Sequence, residues 1–152
     1  MYLQTQFSIF MVNKPGVLSQ ILRDVAEAKI NIIALTMTDS FEHGVMRLVG
    51  ADVATVRKVL QKLNLQFSET DVLCVNLPNQ AGALAVVTEK LAENHINISY
   101  AYCTAGARGG KTTGVLKVAD VNKAMKVLQA NAKKTAKKKT KKALRRSPGS
   151  RK

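Results

Sequence analysis

The sequence predicts an α+β protein built from two tandem repeats, because one segment occurs twice and the same pattern of strands and helices surrounds each copy. The first copy reads NKPGVL over residues 13–18 and INI over residues 30–32. The second reads NQAGAL over residues 79–84 and INI over residues 96–98. Both pairs of segments are offset by 66 residues, so the register is kept across a whole helix. A duplication of this kind sets the architecture before any single element is assigned.

In the first copy, the spacing of apolar residues predicts the order strand, helix, strand, strand, helix, strand. Alternation over Leu3–Val12 indicates a half-buried strand, and the turn-forming residues Asn13–Gly16 end it. Apolar residues at helical spacing run from Val17 to Ala26, and Asp52 is the expected N-cap of a second helix. The other strands are expected at residues 32–37, 45–49 and 65–68. Right-handed crossovers make this the ferredoxin-like arrangement, four antiparallel strands with both helices on one face.

The second copy repeats this order but lacks one element. Strands are expected at residues 72–77, 98–104 and 115–118, with helices after Gly82 and after Asp120. No clear fourth strand follows Leu128. The strand at 72–77 would then be an exposed edge, so we predict that another segment or another chain pairs with it. We assign residues 1–69 and 70–132 to two domains and residues 133–152 to a basic tail.

The net charge of +14 is concentrated at one end of the chain. Residues 133–152 contain 11 Lys or Arg and no Asp or Glu, which leaves +3 for residues 1–132. The body is therefore close to neutral, and the tail is a cationic, low-complexity segment that we expect to be disordered.

Cys74 and Cys103 fall in strand-like runs and are expected to be buried and reduced. We find no signal peptide and no apolar run long enough for a membrane span, and expect a cytoplasmic protein.

Taken together, these residues resemble the ACT domain family, small ferredoxin-like regulatory modules that bind amino acids and usually occur in pairs. The likeness is greatest to free-standing bacterial proteins that consist of two tandem ACT domains. It extends over residues 3–129 and is carried by residues 13–18, 30–32, 44–48, 82–84 and 96–102. The resemblance implies a non-catalytic regulatory protein, a free amino acid as ligand and a homodimer.

The resemblance also implies where the ligand binds, in the bend between the first strand and the first helix of a repeat. Glycine permits close approach to the backbone, and the unpaired amides of a helix start suit a carboxylate. Ala81 stands where the first copy has Pro15, so the second bend is less preset. An ordinary strand-to-helix connection is the alternative interpretation of both bends. The candidate ligand-binding residues, which include the starts of the second strands, are Asn13, Pro15, Gly16, Val17, Leu18, Asn31, Ile32, Asn79, Gly82, Ala83, Leu84, Asn97 and Ile98.

No motif in the chain indicates catalysis, and we expect neither a cofactor nor a metal. His43 and His95 are not at metal-ligand spacing, and no Ser-His-Asp set is visible. Residues 105–112, AGARGGKT, resemble a nucleotide P-loop. However, Ala105 replaces the first glycine, and a strand rather than a helix follows, which favours a plain hairpin.

Three further side chains have simple expected roles. Arg47 lies alone in an apolar strand, and we expect it to pair with an acidic neighbour. Tyr100 and Tyr102 alternate onto one face of their strand, which indicates packing or a dimer surface.

A second functional hypothesis belongs to a different class, a nucleic-acid-associated protein in which the paired ACT domains only dimerise. The tail resembles those of linker-histone-like proteins in composition, and a run of this kind neutralises phosphates without reading sequence. The candidate residues for DNA or RNA are Lys133, Lys134, Lys137, Lys138, Lys139, Lys141, Lys142, Arg145 and Arg146.

Truncation after Asn131 is expected to abolish any binding of DNA or RNA by this chain. Because binding through lysines releases counterions, the affinity of the full chain should fall by about a thousandfold between 50 and 200 mM salt. Fluorescence anisotropy with a labelled duplex measures both effects. Equal affinity of the full and truncated chains would contradict the tail hypothesis.

Overall fold

A computed structural model describes residues 1–39, 43–104 and 110–130 of the chain. The elements follow the predicted order in both repeats. The first repeat contains β1 (Tyr2–Val12), α1 (Val17–Glu27), β2 (Ile32–Asp39), β3 (His43–Gly50), α2 (Val53–Lys62) and the start of β4 (Gln66–Pro78). The second contains the rest of β4, α3 (Ala83–Glu93), β5 (Ile98–Cys103), β6 (Lys111–Val118) and α4, which spans residues 121–130.

The described strands form one antiparallel sheet in the order β2-β3-β1-β4-β6-β5. The prediction of two separate strands at residues 65–68 and 72–77 is wrong, because β4 is continuous. The polar residues Glu69–Asp71 do not break it, since β1 runs alongside and pairs Phe7 with Glu69 and Thr5 with Asp71. The expected domain boundary, between residues 69 and 70, falls inside a strand that both repeats share.

The edge for which the sequence predicts no fourth strand is covered at residues 72–74 by the beginning of β1. Residues Tyr2, Leu3 and Gln4 pair with Cys74, Leu73 and Val72, in the place of a fourth strand of the second repeat. The prediction that another segment pairs with this edge is therefore confirmed for residues 72–74. Within the described residues, β1 and β4 thus each contribute to the sheets of both repeats, and the second repeat takes its fourth strand position from the first.

The helices pack on one face of the sheet over two equivalent cores. Phe7, Ile9 and Met11 of β1 are buried in the first core, and residues 73, 75 and 77 of β4 occupy the same positions in the second. The offset is again 66 residues, which shows that the duplication extends to the packing. Burial of such apolar side chains is the main favourable contribution to folding, roughly 1.5–3 kcal/mol for each large one.

The opposite face of the sheet curls on itself and holds a third buried cluster, formed by residues 34, 49, 72, 74 and 115. Gln6 of β1 is fully buried on this side. Its Nε2 donates to the Tyr100 hydroxyl at 2.8 Å, and the Tyr102 hydroxyl donates to its Oε1 at 3.0 Å. In a flat sheet β5 would lie three strand spacings from β1, about 14 Å. The two tyrosines, which share one face as predicted, reach Gln6 because the sheet bends.

The two cysteines have different environments, although both were expected to be buried. Cys74 is buried within the third cluster, and its burial raises the pKa of its thiol. Cys103 is exposed at the end of β5, an edge strand of the described sheet. Strand alternation places Cys103 on the side opposite the inward-facing tyrosines, so that part of the prediction is wrong. Both thiols are free.

Replacing Gly50 with Ala is expected to destabilise the fold by about 1–3 kcal/mol, because a Cβ there overpacks the core. That Cβ would lie 2.6 Å from Val56 Cγ2 and 3.2 Å from Ile30 Cγ2. Urea denaturation measures the change.

The matched control is Gly114→Ala in β6, where the nearest atom, Leu77 Cδ1, lies at an ordinary 3.4 Å. This variant should be neutral or slightly stabilising, since glycine weakens a strand. Equal effects of the two substitutions would contradict the packing described at the end of β3.

Candidate functional site

The two glycine bends have the same backbone hydrogen bonds. In the first, the Lys14 amide donates to the Val12 carbonyl at 3.0 Å, and the Val17 amide donates to the Lys14 carbonyl at 3.3 Å. In the second, the equivalent amides of residues 80 and 83 donate to the carbonyls of residues 78 and 80 at 2.9 and 3.3 Å. The two bends are therefore equivalent in local structure, although proline is present in only one.

Gly16 and Gly82 are required by backbone conformation rather than by lack of space. Their φ angles are 91° and 81°, in the left-handed region that L-residues rarely adopt. A Cβ added to either would meet no atom within 4 Å. Each bend is thus open on its outer side, where the backbone can be approached.

The helices that follow these glycines begin without a side-chain cap. Neither Gly16 at the start of α1 nor Gly82 at the start of α3 provides one. By contrast, Asp52 accepts from the Thr55 amide in α2, and Asp120 accepts from the Lys123 amide in α4. The first amide of each helix donates to the carbonyl of residue 14 or 80, and the amides that follow it in the first turn receive no side-chain cap from Gly16 or Gly82 and lie at the positive end of a helix dipole.

The candidate residues in the bends are accessible to small molecules. Asn13, Pro15 and Gly16 are exposed, and Val17 and Leu18 at the start of α1 are half-buried. The second bend follows the same pattern, with residues 79 and 82 exposed and residues 83 and 84 half-buried. The Asn79 amide also donates to the Gly110 carbonyl at 3.0 Å, which ties this bend to the segment before β6.

The starts of the second strands lie far from the bend of their own repeat. Ile32 pairs with Gly50 at one end of β3, whereas the first bend follows Val12, which pairs with His43 at the other end. These ends of β3 are about 23 Å apart for an extended strand. Asn97 and Ile98 lie in the same way beside the end of β6, opposite the second bend. The structure therefore does not bring residues 31–32 or 97–98 to the bend of the same repeat.

An apolar cleft of about 370 Å³ adjoins the first bend. Its walls come from the end of β1, the start of α1 and the connection between α2 and β4. The lining residues are Phe10, Met11, Val12, Val17, His43, Asn64, Leu65 and Gln66. A second cleft of about 220 Å³ shares Val17 and Leu65 and continues along α1. The first lies near the lower end of the size range of small-molecule sites, and the second falls below it.

Sequence reasoning missed most residues of this cleft. Phe10 and Val12 lie on the otherwise polar side of β1 and are 50% and 45% exposed. This break in the alternation was a visible signal. Asn64 and Leu65 carried none, because they meet the bend only through the packing of α2 on the sheet. The equivalent connection after α4 lies outside the described residues.

The ion pairs and capping groups of the described residues lie elsewhere. Arg57 holds Glu69 through two hydrogen bonds of 2.6 and 2.7 Å, which lower the pKa of that carboxyl group. Hydrogen bonds from Thr55 lower the pKa of Asp52 at the opposite end of β3 from the first bend. Burial raises the pKa of the Tyr102 phenol.

Among the described residues Arg47 does not have the acidic partner expected from the sequence. Among the described residues the only ion pair is that of Arg57 with Glu69. Arg47 instead donates from Nη1 to the Thr38 hydroxyl at 2.9 Å and stacks on Tyr100, 4.5 Å from the ring centroid. A cation–π contact thus takes the place of the predicted salt bridge.

The other sequence motifs are only partly covered by the structure. No group of His, Cys, Asp or Glu in the described part of the chain is arranged to hold a metal. The P-loop-like segment joins the antiparallel strands β5 and β6, as a hairpin does, although residues 105–109 lie outside the described residues. All nine candidate nucleic-acid-binding residues of the tail also lie outside them. Over the described ranges, no helix is long and apolar enough to cross a membrane.

Comparison with known proteins connects this architecture to a family. The chain matches the ACT domain pair family over residues 1–144. It is similar to the crystal structure of protein BT0572 from Bacteroides thetaiotaomicron, at 28% identity and a TM-score of 0.78, over 86% of this chain and 89% of that one. No curated protein matches the sequence.

Two further structures show the same fold at lower identity. They are the regulatory subunits of aspartate kinase from Thermus thermophilus, in its ligand-free form, and from Thermus flavus. The first is 11% identical with a TM-score of 0.61, over 86% of this chain and 97% of that one. The second is 17% identical with a TM-score of 0.54, over 85% and 95%. With a family match over most of its length and two equivalent repeats, the chain belongs to the ACT domain pair family.

Proposed function

We propose that this protein is a non-catalytic regulatory module that binds a small free amino acid at the glycine bends. One observation carries the proposal: an uncapped helix start lies beside an apolar cleft at the first bend. The first-turn amides of α1 suit the carboxylate of the ligand, and the cleft suits its side chain. Asn13 is exposed at the same bend and offers an amide to the α-amino group or the carboxylate.

We assign the principal site to the first bend rather than the second. Both have the same backbone and an uncapped helix, and within the described residues a cleft lined by Asn64 and Leu65 adjoins the first. Pro15 also restricts the first bend, whereas Ala81 leaves the second less preset. The roles proposed for Gly82, Ala83 and Leu84 are the equivalent ones at a secondary site.

We further propose that the site is completed by a second copy of the chain. Residues 31–32 and 97–98 lie at the ends of β2 and β5, the two outer strands of the described sheet. They do not meet the bend of their own repeat, so a role in ligand binding requires the bend of another domain. A homodimer supplies this, and the exposed Ile32 and Asn97 are available for it.

The regulatory role follows from differential binding. A ligand held between two domains favours the arrangement that brings them together, and this shifts the population of that state. Two of the similar structures are regulatory subunits of aspartate kinase, which supports a role of this kind for the fold. The tail hypothesis remains the alternative, based on the 11 basic residues after Ala132. The two functions are compatible.

A thermal-shift screen of the twenty free amino acids on the full chain is expected to identify one that raises the unfolding midpoint. A ligand that binds only the folded state at a hundred times its Kd stabilises it by about 2.7 kcal/mol. That corresponds to a midpoint shift of several degrees, and isothermal titration then gives the stoichiometry. The D-enantiomer of the same amino acid is the control. The absence of a shift with all twenty would contradict the proposal.

Gly16→Ala is expected to remove this ligand-induced shift, and Gly82→Ala is expected to retain most of it. Both substitutions place an L-residue at a left-handed position and should each destabilise the fold by about 1–2 kcal/mol. Their cost in stability therefore cancels in the comparison, and only the effect on the site differs. Loss of the shift in Gly82→Ala alone would move the principal site to the second bend.

A further inference from the structure

The face of the sheet that carries no helices has a cluster of polar side chains, none of which belongs to the glycine bends. The side chains come from strands of both repeats, and the curl of the sheet brings them together. They are Gln6 and Ser8 of β1, Thr38 of β2, Arg47 of β3, and Tyr100 and Tyr102 of β5. Gln6 Nε2 lies 3.2 Å from Ser8 Oγ, and Ser8 is directly opposite Arg47 in the β1–β3 register. Arg47 therefore extends over a surface lined with hydroxyl groups.

Arg47 is the charged residue of this polar cluster, and one of its hydrogen-bond donors has no acceptor in the part of the chain that the structure describes. One face of its guanidinium lies on the Tyr100 ring, and Nη1 donates to the Thr38 hydroxyl. Its Nε is buried and has no acceptor among the described residues. A buried donor without a partner is costly, and here that donor is Nε, although the Arg47 side chain as a whole is only half-buried. The stacking on Tyr100 offsets only part of this cost.

Arg57 of the same molecule shows how the Nε–Nη2 edge of an arginine binds a carboxylate. Arg57 uses Nε and Nη2 to bind both oxygens of Glu69, at 2.6 and 2.7 Å. This side-on fork is the geometry in which guanidinium recognises carboxylate and phosphate groups. In Arg47 the Thr38 hydroxyl engages Nη1, which leaves the Nε–Nη2 edge for another acceptor.

We propose that Arg47 forms an anion-binding site on the face opposite the helices, and that the site takes the carboxylate or phosphate group of a small molecule. The Nε–Nη2 edge is the donor for the anion, and because Nε is buried, the anion reaches it after a shift of the side chains that cover it. The Ser8 hydroxyl lies on the same face, opposite Arg47 in the register, and is placed to donate to the anion. Tyr100 holds the guanidinium plane in place by stacking. The site does not depend on the glycine bends, because it involves the opposite face of the sheet and none of their residues.

The test is a local one, because the lysine-rich tail binds anions by charge alone and affects any global measurement. Arginine Nε–H signals are followed by proton–nitrogen NMR on the full chain, during titration with sodium acetate and, separately, with inorganic phosphate. Sodium chloride at matched ionic strength is the reference. Arg47→Lys and Arg57→Lys assign the two signals by their disappearance.

The Arg47 Nε–H signal is expected to move in a saturable manner with acetate, phosphate or both, and the two titrations distinguish a carboxylate site from a phosphate site. The Arg57 signal should not move, since Glu69 already occupies its fork. Arg47→Lys, which keeps the charge but loses the fork, should weaken the binding of acetate or phosphate by at least about tenfold in chemical-shift titrations of neighbouring amides. If that variant does not fold, the wild-type signals remain a sufficient test, with Arg57→Lys for the assignment. An Arg47 signal unmoved by both anions, or moved equally by chloride, would overturn the proposal.

Discussion

The antiparallel pairing of β1 with β4 is the interaction on which the rest of this structure depends. The register is unbroken from Tyr2 opposite Cys74 to Phe10 opposite Gln66. Each strand also pairs with a second neighbour, β3 on one side and β6 on the other. A strand edge with unpaired amides and carbonyls is a liability, and this pairing covers residues 72–74 of the edge that the second repeat would otherwise present. As a result, the two cores lie over one continuous sheet.

Much of the fold was predictable because it depends on local periodicity. The helices, the glycine bends and the inward residues of each first strand followed from spacing alone, and the 66-residue offset placed the second set once the first was known. The continuity of β4 was not predictable, because Glu69–Asp71 are polar and only pairing with a distant strand keeps them extended. The same holds for the curl of the sheet, which brings Gln6 to tyrosines more than ninety residues away in sequence.

The backbone conformation of the candidate site was predictable from the sequence, but the side chains that line the cleft beside it were not. A glycine after a strand and before a helix indicates a left-handed bend, and Gly16 and Gly82 have that conformation. The cleft beside the first bend depends on Asn64 and Leu65, whose position is set by how α2 packs and ends. The environment of Arg47 was also beyond local reasoning. Among the described residues, its contact is with an aromatic ring from the other repeat rather than with the expected carboxylate.

The exchange of strands has a consequence for the order in which the molecule is assembled. The first residues of β1 are made some seventy residues before the segment of β4 that pairs with them. Contacts between residues so distant in sequence form late and lower the folding rate, because a long loop must first be closed. During synthesis, the apolar strand β1 therefore has to avoid pairing with other polypeptides until β4 has been made.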